Sequence, residues 1–421
     1  MGKPLHYTAN SHLKSVANSK KSGKINVSML AFTATRLYTP LQYMERPVVL
    51  VEGESVVDIF SQAERPVPQG SRLIDFGDAI LAPGFVDIHI HGGAGHDVMH
   101  ADTKGFAALE RLLAAHGVTS YFPTTVTAPI AQTLAALDRL ATAIEQAEQE
   151  RSGDGHRAQP AGIHLEGPFI SHIRRGVHPP AHLQQPSLDL FDRFWQAARG
   201  RIRLMTIAPE LEGAMEVIAE AARRGVCVSL GHTDADLDTA HAAVAAGARH
   251  ATHTFNAMRP LNHRDAGILG AVLTDARLSA DIIADGIHLH PVIVDLFVKA
   301  KGPDLAVLIT DATAATGMPE GRYRLGDMDV EVKDGRCMAE GKLAGSVLTM
   351  DRAVRNVMQF AHWNLQDALR LATLNPARIT GLTRRGKLEP GCVADIAILN
   401  SRGEVKTTIV RGAVPDAAAK A

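Results

Sequence analysis

Seven side chains able to bind a metal or move a proton stand at the ends of apolar runs. His89 and His91 close Ile88-His-Ile-His91, and Glu166 closes Ile163-His-Leu-Glu166. His232 ends Val226-Cys-Val-Ser-Leu-Gly-His232, and His253 sits within Ala251-Thr-His-Thr-Phe255. His288 follows Ile282-Ile-Ala-Asp285, and Asp311 ends Val307-Leu-Ile-Thr-Asp311. Imidazole and carboxylate together form the donor set of zinc, iron, manganese or cobalt sites. Coordination brings the pKa of water toward ~7, which supplies a nucleophile at neutral pH. A carboxylate beside it can carry the proton, a contribution of about 10²–10⁴-fold in rate.

Each residue also has an ordinary reading. A lone strand histidine can be a hydrogen-bonded structural residue. An acid after an apolar run can be a solvated turn, and Asp311 could cap a helix. Two features weigh against this. His89 and His91 are two apart, so on a strand both face the same side. Gly167-Pro168 after Glu166 lets a neighbouring backbone come close. Above all, the whole set falls at one end of successive strands.

Those strands alternate with helical patterns. Eight β-type runs end near residues 91, 126, 166, 207, 232, 255, 285 and 311. Three- and four-residue apolar spacing predicts helices over 104–116, 130–150, 188–199, 214–224, 236–246 and 291–300. Gly117, Gly225 and Gly247 close three of them. The pattern predicts an α/β chain built as a (β/α)8 barrel of the TIM type, whose reaction site lies at the C-terminal strand ends. A doubly wound sheet is the alternative, and eight regular units close more naturally. Short strand-like runs at 47–51, 55–60, 394–399 and 405–410 belong to neither scheme. They predict one small β-sandwich domain built from both ends of the chain. The expected division is 1–28 as an extension, 29–82 and 381–421 as the sandwich, and 83–380 as the barrel. Residues 321–342 read as an extra hairpin.

Composition narrows the setting. Apolar residues make up 46% of the 421 and charged residues 21%, which excludes a mostly disordered chain. The 44 basic and 45 acidic side chains nearly cancel, so no global field attracts nucleic acid or an anionic membrane. No apolar run approaches the roughly 20 residues of a membrane span. Cys227, Cys337 and Cys392 have no paired spacing, which fits a reducing cytoplasm. Residues 1–28 are rich in Ser, Asn and Lys, and lack the apolar core of a secretory signal. Gly92-Gly93 and Gly231 do not form a dinucleotide fingerprint.

The motifs also carry a resemblance. Leu81-Ala-Pro-Gly-Phe-Val-Asp-Ile-His-Ile-His91 resembles the opening of the amidohydrolase superfamily. His164-Leu-Glu-Gly-Pro-Phe169, Gly231-His-Thr233, Thr252-His-Thr-Phe-Asn-Ala-Met258, Asp285-Gly-Ile-His288 and Ile309-Thr-Asp-Ala312 resemble N-acetylglucosamine-6-phosphate deacetylases. The likeness runs from about Met29 to Val410. It implies Glu166, His232 and His253 as ligands of one divalent metal. It implies His89 and His91 as ligands of a second, with Glu166 as the bridge. One or two ions are therefore permitted, zinc ahead of iron, manganese or cobalt. Asp311 matches the catalytic acid/base. His178 and His288 match histidines that contact the sugar and the acetamide carbonyl, and Asn256 and Ala257 match groups at the sugar phosphate. Arg264 falls where a neighbouring subunit of a homodimer supplies an arginine, with His263 or Arg259 as substitutes. The implied substrate is a phosphorylated amino sugar. Other metal-dependent amidohydrolases, such as a cyclic amidase or an N-acyl-amino-acid deacylase, share the metals and need no phosphate pocket. The galactosamine isomer differs by one hydroxyl, which the sequence does not report. A metal-free scaffold is the reading from another class, and the complete ligand and acid set argues against it.

Overall fold

The computed structural model describes residues 29–150 and 157–414, so the extension expected over 1–28 lies outside the described residues. Eight strands line the centre: β1 (Phe85–Ile90), β2 (Val118–Thr125), β3 (Ile163–Glu166), β4 (Ile202–Ile207), β5 (Cys227–Leu230), β6 (His250–Ala251), β7 (Ala280–Ile283) and β8 (Ala306–Ile309). Neighbours run parallel from β1 to β6, and β7 runs parallel to β8. Two sets of backbone bonds close the ring. Ala251 and Thr254 donate to Ser279 and Asp281, joining β6 to β7. Asp311 donates to the His89 carbonyl and His91 to the Ala312 carbonyl, joining β8 to β1. The eight strands are buried along almost their whole length, as parallel strands covered on both faces must be.

One helix follows each strand: α1 (Thr103–Ala115), α2 (Ile130–Gln149), α3 (Leu188–Ala197), α4 (Ala214–Arg223), α5 (Leu237–Ala246), α6 (Gly267–Thr274), α7 (Pro291–Leu305) and α8 (Met350–Ala361). Start signals are local. The side chains of Asp102, Ser187 and Asp236 each accept the N–H three residues on. Gly117, Gly225 and Gly247 take positive φ past the ends of α1, α4 and α5. Helix α7 kinks at Gly302 (φ 68) before Pro303, close to the end expected at residue 300. Helices α6 and α8 were not among the expected six, and they complete the eight β/α units. Two further helices, α9 (Leu365–Ala372) and α10 (Leu374–Ile379), follow α8.

Strands from both ends of the chain form two more sheets. One orders Ser55–Ser61, Pro47–Glu52, Leu30–Thr33 and Arg72–Asp75. The other orders Val405–Ile409, Ile396–Leu399, Ile80–Pro83, Arg36–Tyr38 and Tyr43–Glu45. Phe32, Leu37, Val49, Val51, Leu81, Ile396, Ile398 and Ile409 pack between them. The chain passes from Ile80–Pro83 through Gly84 into β1. A Cβ on Gly84 would lie 2.3 Å from Thr119, so only glycine allows that close approach. The sandwich thus leads directly into the strand that carries His89 and ends just before His91.

The expected hairpin over 321–342 is instead a four-stranded antiparallel sheet: Gly321–Leu325, Met328–Lys333, Arg336–Ala339 and Lys342–Leu343. Short turns at Gly326, Gly335 and Gly341, all at positive φ, give it three reversals rather than one. Its inner face, including Leu325, Val330, Val332, Cys337 and Ala339, packs on Met99, Val126, Ala128 and Ala315.

Candidate metal centre and pocket

Local backbone sets the ligands before any side chain meets another. His89 is the penultimate residue of β1, and His91 follows its end. Buried Asp87, in the same strand, accepts the backbone N–H groups of His89 and Thr310 at 3.3 Å each and the Thr310 hydroxyl at 2.5 Å. It therefore ties the end of β1 to the residue before Asp311. Buried Asp281 accepts the backbone N–H of His253 and pairs with His250 at 2.8 Å. His232, His253 and Asp311 all lie at positive φ, at 47°, 30° and 50°. That conformation costs a non-glycine residue roughly 1–2 kcal/mol. Three such residues at one rim mean that the surrounding structure holds them against local preference. No helix begins at Asp311, so its carboxylate is not a cap.

The side chains converge on Glu166. Its Oε1 lies 3.3 Å from His232 Nε2 and 3.1 Å from His253 Nε2. Its Oε2 lies 3.5 Å from His89 Nε2 and 3.3 Å from His91 Nε2. Asp311 Oδ1 is 3.6 Å from His89 Nε2 and 3.2 Å from His91 Nε2. One carboxylate thus faces two separate donor groups: His89, His91 and Asp311, and Glu166 with His232 and His253.

Spacing and chemistry fit a divalent cation in each group. Nε2 atoms are 3.2 Å apart for His89 and His91, and 3.1 Å apart for His232 and His253. Ligands at about 2.0–2.1 Å in a tetrahedron stand roughly 3.3 Å apart. His91 Nδ1 meets the Thr124 carbonyl at 3.0 Å, and His232 Nδ1 meets the Arg174 carbonyl at 2.9 Å. Each carbonyl demands a proton on Nδ1, which leaves the Nε2 lone pair for a metal. Charge agrees. Burial pushes the Glu166 carboxyl up, yet the His89 charge and hydrogen bonds to His232, His253 and His89 hold it well below its usual range. Burial also works against a charge on His91, but Asp311 and Glu166 raise it well above the ordinary imidazole value. Asp311 is held low against its own burial by His89 and His91. Two carboxylates in a buried basin draw positive charge, and a proton on His91 competes with a cation for that place.

The cluster forms the floor of a pocket. Asn256, Ala257, His178 and His288 line its walls beside the ligands. His178 Nε2 is 3.8 Å from Glu166 Oε2. Burial, then the charge of His232, pushes its imidazole down to about 3, so it stands neutral. His288 Nδ1 is held by Asp285 Oδ2 at 2.7 Å, and Asp285 also accepts the N–H groups of Ile287 and His288. Arg264 is not brought into the pocket. It lies exposed in the 261–265 loop, where its backbone N–H meets Asn262 Oδ1. Arg259 is engaged by Asp265, and His263 is exposed.

The remaining wall was not anticipated. Leu325, Met328 and Leu343 of the inserted sheet line the pocket with Val126 and Val177. Gly326 donates to buried Asp97 Oδ2 at 2.8 Å and docks the hairpin tip. The alternation in 328–333 marked a strand, but nothing in it named the surface its apolar side would meet. Asp87 and Asp285 were more accessible to reading, being two and three residues before His89 and His288.

The chain also matches known proteins. The model of the amidohydrolase family matches residues 80–414. The N-acetylglucosamine-6-phosphate deacetylase of Bos taurus is 41% identical over 363 residues, 83% of this chain and 86% of the bovine protein. The N-acetylgalactosamine-6-phosphate deacetylase of Escherichia coli O157:H7 is 38% identical over 335 residues, 79% of this chain and 87% of that protein. The N-acetyl-D-glucosamine-6-phosphate deacetylase of Mycobacterium smegmatis, solved as a variant in complex with N-acetyl-D-glucosamine-6-phosphate, superposes with a TM-score of 0.85. It is 34% identical, and the match covers 91% of this chain and 98% of that one.

Proposed function

The chain belongs to the amidohydrolase family, and we propose that it hydrolyses the acetamide of N-acetyl-D-glucosamine 6-phosphate to D-glucosamine 6-phosphate and acetate. The observation that carries this reading is Glu166, whose two oxygens face two histidine pairs on the floor of a pocket. The bovine and mycobacterial likenesses supply the substrate class.

Glu166, His232 and His253 would hold one divalent cation, and His89, His91 and Asp311 a second, with zinc the first choice for these donors. When bound, the cation supplies a water of lowered pKa and positive charge for the acyl oxygen. Asp311 takes the proton from the attacking water and delivers it to the departing amine nitrogen. Without that delivery the amine is a poor leaving group. His178 and His288 orient the acetamide and the sugar. Asn256 and Ala257 face the phosphate end, and Arg264 of a second copy completes it in a homodimer. An arginine fork matches paired phosphate oxygens, and binding there orients the distant amide. Among the described residues, 29–82 and 381–414 make the supporting sandwich domain and those between them the catalytic barrel. Three free, buried cysteines suit a reducing cytoplasm.

The test is turnover of four sugars: the 6-phosphates of N-acetylglucosamine and N-acetylgalactosamine, and both unphosphorylated forms. The gluco phosphate turns over fastest. Chelation abolishes the activity, and added divalent metal restores it. Equal rates with and without phosphate would remove the phosphate-end assignment, and a faster galacto phosphate would replace the substrate.

A further inference from the structure

Two histidines of the pocket wall, His178 and His288, meet opposite kinds of partner at Nδ1. The backbone N–H of Thr127 donates to His178 Nδ1 at 3.3 Å, and the Thr127 hydroxyl lies 2.8 Å from the same nitrogen. A backbone amide can only donate, so Nδ1 is the acceptor and the proton sits on Nε2. That N–H points toward the cluster, with Nε2 3.8 Å from Glu166 Oε2. His288 is arranged the other way. Its Nδ1 faces the Asp285 carboxylate at 2.7 Å, so Nδ1 carries a proton.

The contact between Thr127 and His178 is built, not incidental. Thr127 is 2% exposed and His178 is 4% exposed. Gly167, directly after Glu166, lies against both. A Cβ on Gly167 would stand 2.2 Å from Thr127 Oγ1 and 3.6 Å from His178 Nδ1. Glycine there therefore leaves room for the hydroxyl beside the ring.

We propose that Thr127 is a positioning residue that fixes His178 as a neutral Nε2–H donor to the acyl oxygen, so that His178 polarises the amide and carries no proton. The proposal rests on the deacetylase reading for the identity of that oxygen. The geometry suits the task. A donor already oriented by two partners loses little when charge develops on the oxygen it faces. A backbone amide on Nδ1 also blocks the relay in which the ring would pass a proton through.

Two measurements test this on the metal-loaded full-length protein. Nitrogen-15 NMR of the imidazoles, assigned with His178→Gln, reads the tautomer without any turnover. The expected signal is an unprotonated Nδ1 and a protonated Nε2 for His178, and a protonated Nδ1 for His288. A protonated Nδ1 on His178 overturns the proposal. Thr127→Val keeps the backbone donor and removes the hydroxyl. It should lower kcat about tenfold with KM little changed, the effect of one neutral hydrogen bond felt in the transition state. Thr127→Ser should restore most of that loss. Full kcat in Thr127→Val, or no recovery in Thr127→Ser, removes Thr127 from the role. If wild-type protein fails on phosphorylated sugars while the tautomers are as expected, the deacetylase reading falls and the tautomer assignment stands.

Discussion

Glu166 and Glu110 are both buried, at 2% and 6% exposure, yet their carboxyls are displaced in opposite directions. Glu110 lines a cleft between α1 and α2. It accepts the Tyr121 hydroxyl at 3.2 Å, and Arg157 stands 3.7 Å away. Burial outweighs both partners and pushes its carboxyl up to about 7. Glu166 feels burial too, but a ring of imidazoles overcomes it and holds the carboxyl low. Hiding an acid makes it reluctant to ionise. Surrounding it with convergent nitrogens makes it a ligand. The contrast separates a binding site from a merely buried charge.

The contrast can be broken most sharply at Glu166. Glu166→Gln should lower kcat/KM by about 10³-fold or more, the loss of several kcal/mol of charge stabilisation. Metal content by mass spectrometry should fall with it, and a variant that keeps both metal and rate would refute Glu166 as a metal ligand. Asp311→Asn should cut kcat by about 10²–10⁴-fold while substrate binding by calorimetry changes little. A parallel loss of affinity would make Asp311 a binding group instead. Thr310→Val removes a hydrogen bond to Asp87 without touching a ligand. Metal affinity by chelator competition should fall about 10–100-fold, the usual effect of disturbing groups behind a ligand. The smallest effect belongs to Glu110→Gln. The folded value near 7 lies above the ordinary carboxyl value of 4.5, so this group adds stability in full below 4.5. That stability is lost as pH rises through 7. The variant should remove a slope of at most about 1.4 kcal/mol per pH unit from denaturation midpoints between pH 4.5 and 7. Turnover at neutral pH should stay within about twofold. A large change in turnover would mean that the cleft and the basin are coupled.

The sequence disclosed the residues whose meaning is local. His89 and His91 could be read from a spacing of two, and the barrel from eight apolar runs with capped helices between them. Glu166, His232 and His253 were readable because each ends an apolar run: Glu166 is the last residue of β3, and the two histidines stand two residues past β5 and β6. The supports behind them were not readable. Asp281 serves His253 through its backbone, and Thr127 meets His178 after a separation of 51 residues. No periodicity encodes such a meeting. The inserted sheet failed differently. Its alternation gave strands, but the pairing of four rather than two depended on three glycine turns, and its role as pocket wall on a docking surface elsewhere. Helices α6 and α8 escaped for a third reason. Gly267–Thr274 is apolar around its whole circumference, GILGAVLT, and leaves no polar face to set a period. The strong amphipathic pattern of Met350–Ala361 was present and went unread.

The bond from Thr310 to Asp87 spans 223 positions of the chain. The first barrel strand therefore leaves the ribosome long before its second neighbour exists. During that interval its second edge is open, and its histidines have Glu166 but not Asp311 opposite them. Closure of the ring is a late, long-range event of the kind that slows folding. A nascent chain halted before residue 311 would carry most of the fold and one whole donor group, but not the acid that moves the proton.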